Sequence, residues 1–141
     1  MGASEAKEIV LEATLENLDA VNGFIEELLA PLECVQEKRI QLDVAVEEIF
    51  VNIVNYAYPS GQGLATVQAE TMANPLGIRI AFIDEGKLYN PLLGEEPNLA
   101  HHLKERKVGG LGLLFVKKNV DSIDYEYRDG KNILTLWKKL S

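Results

Sequence analysis

At 141 residues the chain is long enough for one domain with a real hydrophobic core and too short for two comfortable ones. Its 47% hydrophobic and 26% charged residues exclude a disordered chain, and its formal charge of −8 excludes the backbone of DNA or RNA as a partner, since that contact needs a basic face. Nucleotides remain open, because backbone amides and a metal can meet their charge. Cys34 is the only cysteine, so no internal disulfide is possible; a reducing compartment fits, and a small core filler is expected of it. No apolar run approaches the roughly 18–20 residues of a membrane span, and the first residues, M-G-A-S-E-A-K, lack the apolar stretch of a signal peptide. The cytoplasm is the expected location, with no membrane contact.

Glu8 to Thr14 is β-branched and short enough for an edge strand. Thr14 or Asn17 can cap a helix from Leu18 to Ala30 whose apolar face carries Leu18, Val21, Ile25, Leu28 and Leu29, and Pro31 ends it. A long helix follows over Gln36 to Tyr58, stopped by Pro59, Gly61 and Gly63. Ala65 to Thr71 alternates like a half-exposed strand, Asn74-Pro75-Leu76-Gly77 is a turn, and Ile78 to Ile83 returns as a more buried strand. From Asp84 to Gly112 no apolar period survives, and a structureless run of that length inside a compact domain is usually functional, for example a lid. Leu113 to Val120 resumes as a helix, and Ser122 to Arg128 and Asn132 to Lys138 are strands joined at Asp129-Gly130, a strong hairpin signal. This order predicts an α+β fold: a two-layer sandwich in which one face of a mixed, mostly antiparallel sheet is covered by helices.

The long helix organises the rest. It is apolar almost all the way round (Val44, Val46, Ile49, Phe50, Val51, Ile53, Val54), which predicts burial on every side. Yet Glu48 and Asn52 sit four apart on one face, one turn above the other. A carboxylate and an amide in such surroundings are costly unless something binds them, although a polar stripe reaching solvent between two packed faces would also account for them. The two ends of the irregular run add to the pattern. I-D-E-G puts Asp84 at a strand end with Gly86 where a backbone can be approached closely. V-G-G-L-G-L-L opens a helix with Gly109, Gly110 and Gly112, whose bare amides and helix dipole suit phosphate. The spacing is neither that of a Walker P-loop nor that of a dinucleotide fingerprint.

Together the three pieces resemble the GHKL ATPase superfamily, the Bergerat-fold nucleotide-binding domains, and within it the bacterial anti-sigma-factor serine/threonine kinases. E-I-F-V-N-I-V-N-Y-A-Y looks like the family's N-box, I-D-E-G its G1 box, V-G-G-L-G-L-L-F-V its G2 box, and D-S-I-D-Y-E-Y-R-D-G-K-N-I-L-T-L-W-K-K its closing hairpin. The resemblance runs from about Glu8 to the end. It implies a single ATP-binding domain over 1–141 with a lid at approximately 87–109, and ATP and Mg²⁺ as cofactors. It implies that Asn52 offers its side-chain oxygen to Mg²⁺, which favours oxygen ligands, and that Glu48 is the general base. Asp84 would accept the adenine amino hydrogen, and Gly86 would let the ring lie against the backbone. Gly109, Gly110 and Gly112 would bring amides to the phosphates as the lid closes, and Thr135 would support the adenine site. Arg106, beside the G2 glycines with Lys104 and Lys107, would reach the γ-phosphate, since its fork suits phosphate. Two positions depart from the family pattern: Leu88 stands where a second G1 glycine is common, and Tyr56 where many relatives have histidine.

Other residues fit blander roles. Glu47 points about 100° away from Glu48 and reads as a surface charge. Asn55 continues the polar stripe, either lining the pocket or facing solvent. His101 and His102 lack a ligand set for zinc. Trp137, Tyr125 and Tyr127 read as packing. By resemblance, the expected function is transfer of phosphate from ATP to a small anti-anti-sigma (STAS) partner, with a sigma factor as second partner. A homodimer is also implied, with exposed apolar residues of the first helix as its candidate surface. The alternative is a non-catalytic ATP/ADP switch acting through partner binding. A general ATPase module ranks last, the chain being too short for the transducer domains of such relatives.

Overall fold

A computed structural model describes residues 5–93 and 116–141 of the chain, Glu5 and Leu93 by backbone only. Five strands form one sheet in the order β1-β2-β3-β5-β4: β1 (Glu5–Glu12), β2 (Leu64–Ala73), β3 (Leu76–Asp84), β4 (Ser122–Arg128) and β5 (Lys131–Lys139). Every described pairing is antiparallel, so the expected admixture of parallel pairs is absent among the described residues. Two hairpins explain much of this. The β2–β3 turn falls at Asn74-Pro75, and the β4–β5 turn places Asp129 at φ 54° and Gly130 at φ 76°. Two successive positive φ values match the right-handed twist of the flanking strands, and Asp-Gly tolerates them best.

Strand alternation separates the two faces. Ala65, Val67, Ala69, Ile78, Ile80, Phe82, Leu134 and Leu136 are buried on one face, and α1 (Leu18–Leu29) and α2 (Gln36–Tyr56) pack there. β1 and β4 are the edges of the sheet. After residue 115 the chain re-enters as a helical turn at 116–119, anchored by the fully buried Val116. No helix among the described residues is long and apolar enough to cross a membrane.

Several expectations change on contact with the structure. Of the apolar residues of α1, Val21, Ile25, Leu28 and Leu29 are buried, while Leu18 and Phe24 are half-buried at its surface. Neither Thr14 nor Asn17 caps through its side chain; Asn17 instead donates through Nδ2 to the carbonyl of Glu12, tying the helix entry to β1. α2 is not buried all round. Leu42, Ala45, Val46, Ile49, Phe50 and Ile53 face the core, while Ile40 is 54% and Val44 36% exposed. One layer of helices on one face of a sheet leaves each helix a free side, and that geometry outweighs the apolar composition. Cys34 is half-buried against the core, and burial pushes its thiol up, as suits a filler rather than a nucleophile.

Candidate functional site

The C-terminal half of α2, the end of β3, the first residues after it and the inner side of the β4–β5 hairpin line a cleft whose enclosed free volume is ≈ 30 Å³, the rest of its space being open to solvent. α2 contributes Ile49, Asn52, Ile53, Tyr56 and Ala57, β3 contributes Phe82 and Asp84, and Tyr125, Asn132 and Leu134 come from the hairpin. Lys87, Tyr89 and Pro91 close the wall from the segment that leaves β3. Most of this lining is apolar or aromatic, with a few polar groups that converge.

Asp84 is the acid among them. The inward parity of β3 that buries Ile80 and Phe82 also turns this carboxylate in, and only 7% of the residue remains exposed. Its Oδ1 accepts from the Gly86 N–H and from the Asn132 Nδ2, both at 2.9 Å. A carboxylate has four acceptor positions, so capacity is left for a donor from a ligand. Gly86 has a reason of its own. A Cβ there would lie 2.2 Å from the carbonyl oxygen of Ala57, which already accepts a 2.9 Å bond from the Lys87 N–H. The absent side chain therefore lets the β3 exit dock on the end of α2, a purpose beyond the expected one of admitting a ring. Tyr58 completes this junction: its hydroxyl donates to the Leu64 carbonyl at 2.5 Å and accepts the Glu85 N–H at 2.9 Å.

Asn52 is 91% buried by the neighbouring helix and sheet residues yet lines the cleft, as the helical spacing required. Glu48, one turn earlier, is half-buried and lies outside the lining set. Burial pushes its carboxyl above the ordinary glutamate range, and the neighbouring Glu47 charge adds to the rise. Glu47 and Asn55 are exposed, Asn55 thus taking the solvent-facing of its two readings. Tyr56, in the place where a histidine is common, lines the cleft with its ring tilted against that of Tyr89, centroids 5.7 Å apart. Leu88 is exposed beside it.

Thr135 is not brought to this site. In β5 it alternates with the buried Leu134 and Leu136, so it points to the bare face of the sheet, among Ala81, Ile83 and Ile133. The inward polar residue at the cleft end of the strand is Asn132, which the sequence reading missed. The signal was available: a period of two that puts Leu134 and Leu136 inward puts Asn132 inward and Thr135 outward. Tyr125 is likewise more than packing, since it lines the cleft and donates its hydroxyl to Asn132 Oδ1. Arg106, Gly109, Gly110 and Gly112, with Lys104, Lys107, His101, His102 and most of the expected lid, lie outside the described residues.

The helix-covered antiparallel sheet thus brings an acid at a strand end and an amide of the adjoining helix into one cleft. Residues 11–138 match the histidine kinase-like ATPase domain family, and the chain belongs to it. It is 30% identical over 98 residues to the serine/threonine-protein kinase BtrW of Bordetella bronchiseptica, spanning 70% of this chain and 68% of that protein. Its fold is similar to the crystal structure of the RsbU and RsbW domains of Rv1364c from Mycobacterium tuberculosis. There the TM-score is 0.66 and the identity 19%, over 96% of this chain and 32% of that much longer one.

Proposed function

We propose that the chain is an ATP·Mg²⁺-dependent protein serine/threonine kinase of the anti-sigma-factor type, acting on a small STAS-domain partner and through it on a sigma factor. The observation that carries this reading is Asp84. It is a buried carboxylate, oriented through Oδ1, in the wall of a cleft that Asn52 also lines. An acceptor held in this way suits the amino group of adenine, where guanine presents an oxygen. The name of the Bordetella relative, a serine/threonine-protein kinase, supports the reaction class.

The residues fit the proposed cofactor. No cluster of three or more potential acidic, histidine or cysteine ligands occurs among the described residues, and a magnesium ion carried mainly by phosphate and water needs none. Asn52 would hold it with one oxygen, and when bound the ion would offset charge on the phosphates. Glu48 would take the proton of the substrate hydroxyl as its oxygen bonds to the γ-phosphorus and the bond to ADP breaks. Arg106 and the amides of Gly109, Gly110 and Gly112 would steady the transferred group.

The pH dependence follows from Glu48. A base acts when ionised, and its raised carboxyl pKa means that ionisation fails earlier as pH falls. The acid limb of the rate should therefore lie above the ordinary glutamate value of about 4.3. The test is Glu48→Ala, assayed by ADP calorimetry and by phosphate transfer from ATP to candidate STAS proteins. Retained nucleotide affinity with transfer reduced by roughly 10²–10⁴-fold is expected. One observation favours the non-catalytic switch as a second reading, the position of Glu48 outside the cleft lining. Nucleotide-dependent partner binding that is equal in wild type and Glu48→Ala, with no transfer by either, would establish that reading instead.

A further inference from the structure

Asn132 makes more of the described contacts at the cleft than any other side chain. Its Nδ2 donates to Asp84 Oδ1 at 2.9 Å and to the Lys87 carbonyl at 2.9 Å, with the Gly86 carbonyl at 3.5 Å. Its Oδ1 accepts the Tyr89 N–H at 3.1 Å and the Tyr125 hydroxyl. Only 6% of the residue is exposed. The amide can sit only one way round, because reversing it would set its oxygen against a carboxylate and two carbonyls and its NH₂ against two donors. A hydroxyl has one hydrogen to offer the three acceptors, and a carboxylate could supply only the acceptor half.

We propose that Asn132 is a positioning residue that joins the adenine-accepting carboxylate to residues 86–89, so that the acceptor and the exit from β3 are held as one unit. The inference rests on the adenine reading of Asp84 and deepens it. A ligand donor arriving at Asp84 meets a carboxylate whose orientation is fixed by the same amide that pins Lys87 and Tyr89. Nucleotide occupancy and the placement of residues 86–89 are thereby linked through a single side chain.

The test is a pH profile. In Asn132→Asp two carboxylates would face each other at hydrogen-bond distance and share one proton, which stands in for the lost N–H. The other titratable groups around the pair are Tyr125 on β4, Lys87 and Tyr89 after β3, and Tyr56, Tyr58 and Glu48 on or just after α2, with the Glu85–Lys131 ion pair at 4.0 Å alongside. Burial pushes the Tyr58 and Tyr125 hydroxyls up, away from the neutral range. Dividing by wild type at each pH removes what all of these and the nucleotide's own phosphate contribute.

ADP is titrated by calorimetry into wild type, Asn132→Asp and Asn132→Ala, each at several pH values between about 5.5 and 8.5. Expected is an Asn132→Asp affinity within about three-fold of wild type at the acid end and at least ten-fold weaker at the alkaline end, as the shared proton is lost. Asn132→Ala should be weaker by about ten-fold at every pH, as fits the loss of a hydrogen bond to a charged group. In the ligand-free protein its Tyr89 amide should exchange hydrogen faster. A pH-independent Asn132→Asp ratio overturns the inference. If Asn132→Asp fails to fold, an Asn132→Ala protein with wild-type affinity and wild-type exchange at Tyr89 overturns it. Wild type that binds no ADP at any pH overturns the adenine reading itself, whereas the exchange measurement still reports whether Asn132 holds residues 86–89.

Discussion

Asn132 and Lys138 stand at opposite ends of β5, both on the helix-covered side and both buried, yet the surroundings make them opposites. Asn132 is neutral and borders an open cleft. Lys138 is charged and closed in: its Nζ donates to Gln41 Oε1 at 2.7 Å and to the Asn119 carbonyl, which ends the helical turn at 116–119. Burial pulls the ammonium pKa down, partly opposed by the Asp121 charge. A buried charge is tolerated only with good partners, and here both partners are neutral. Lys138 thus fastens α2, β5 and the re-entering chain together. An inward polar residue is therefore not a site by itself; what distinguishes Asn132 is the cleft in front of it and the acid it orients.

The comparison can be broken from either end. Asp84→Ala should weaken ADP binding by about 100-fold or more, roughly 3 kcal/mol by the upper range for hydrogen bonds to charged groups, with a smaller loss of stability of about 1–2 kcal/mol as the Gly86 and Asn132 N–H groups lose an acceptor. Equal loss of stability and affinity would merge the two ends into one structural role. Lys138→Ala should do the reverse. It should cost about 2–4 kcal/mol in urea unfolding, while Lys138→Met, which keeps the volume, costs less, and ADP affinity per folded molecule is unchanged. The smallest effects sharpen the contrast: Tyr125→Phe removes one donor from Asn132 and should lower ADP affinity by about five-fold, roughly 1 kcal/mol. Gln41→Leu removes one acceptor from Lys138 and should cost about 1 kcal/mol of stability without touching ADP.

The elements and two of the polar residues that line the cleft were legible because each rests on local rules. Asn52 follows from Glu48 by helical spacing, and Asp84 from a strand end punctuated by Gly86. The strands and hairpins followed from alternation and from Asp129-Gly130. What was not legible depended on which face an element presents. Thr135 matches the motif by its letters, whereas strand parity is what turns Asn132 inward and Thr135 outward. The apolar residues of α1 had no visible partner until the sheet was built, and the free side of α2, with Ile40 and Val44, could not be told from its core side by composition. Gly86 was assigned to a ligand because its contact with Ala57 spans 29 positions of sequence and leaves no local mark.

The only tryptophan has a practical consequence. Trp137 lies on the bare face of the sheet over Gly77, where a Cβ would come within 2.2 Å of the indole, and is absent from the cleft lining. Three of the five tyrosines, Tyr56, Tyr89 and Tyr125, line that cleft. Emission excited selectively in the indole band should therefore follow unfolding of the sheet, whereas a ligand seated in the cleft would perturb the absorption of the phenols. The molecule thus carries two separate optical channels, one for integrity and one for occupancy, without any label.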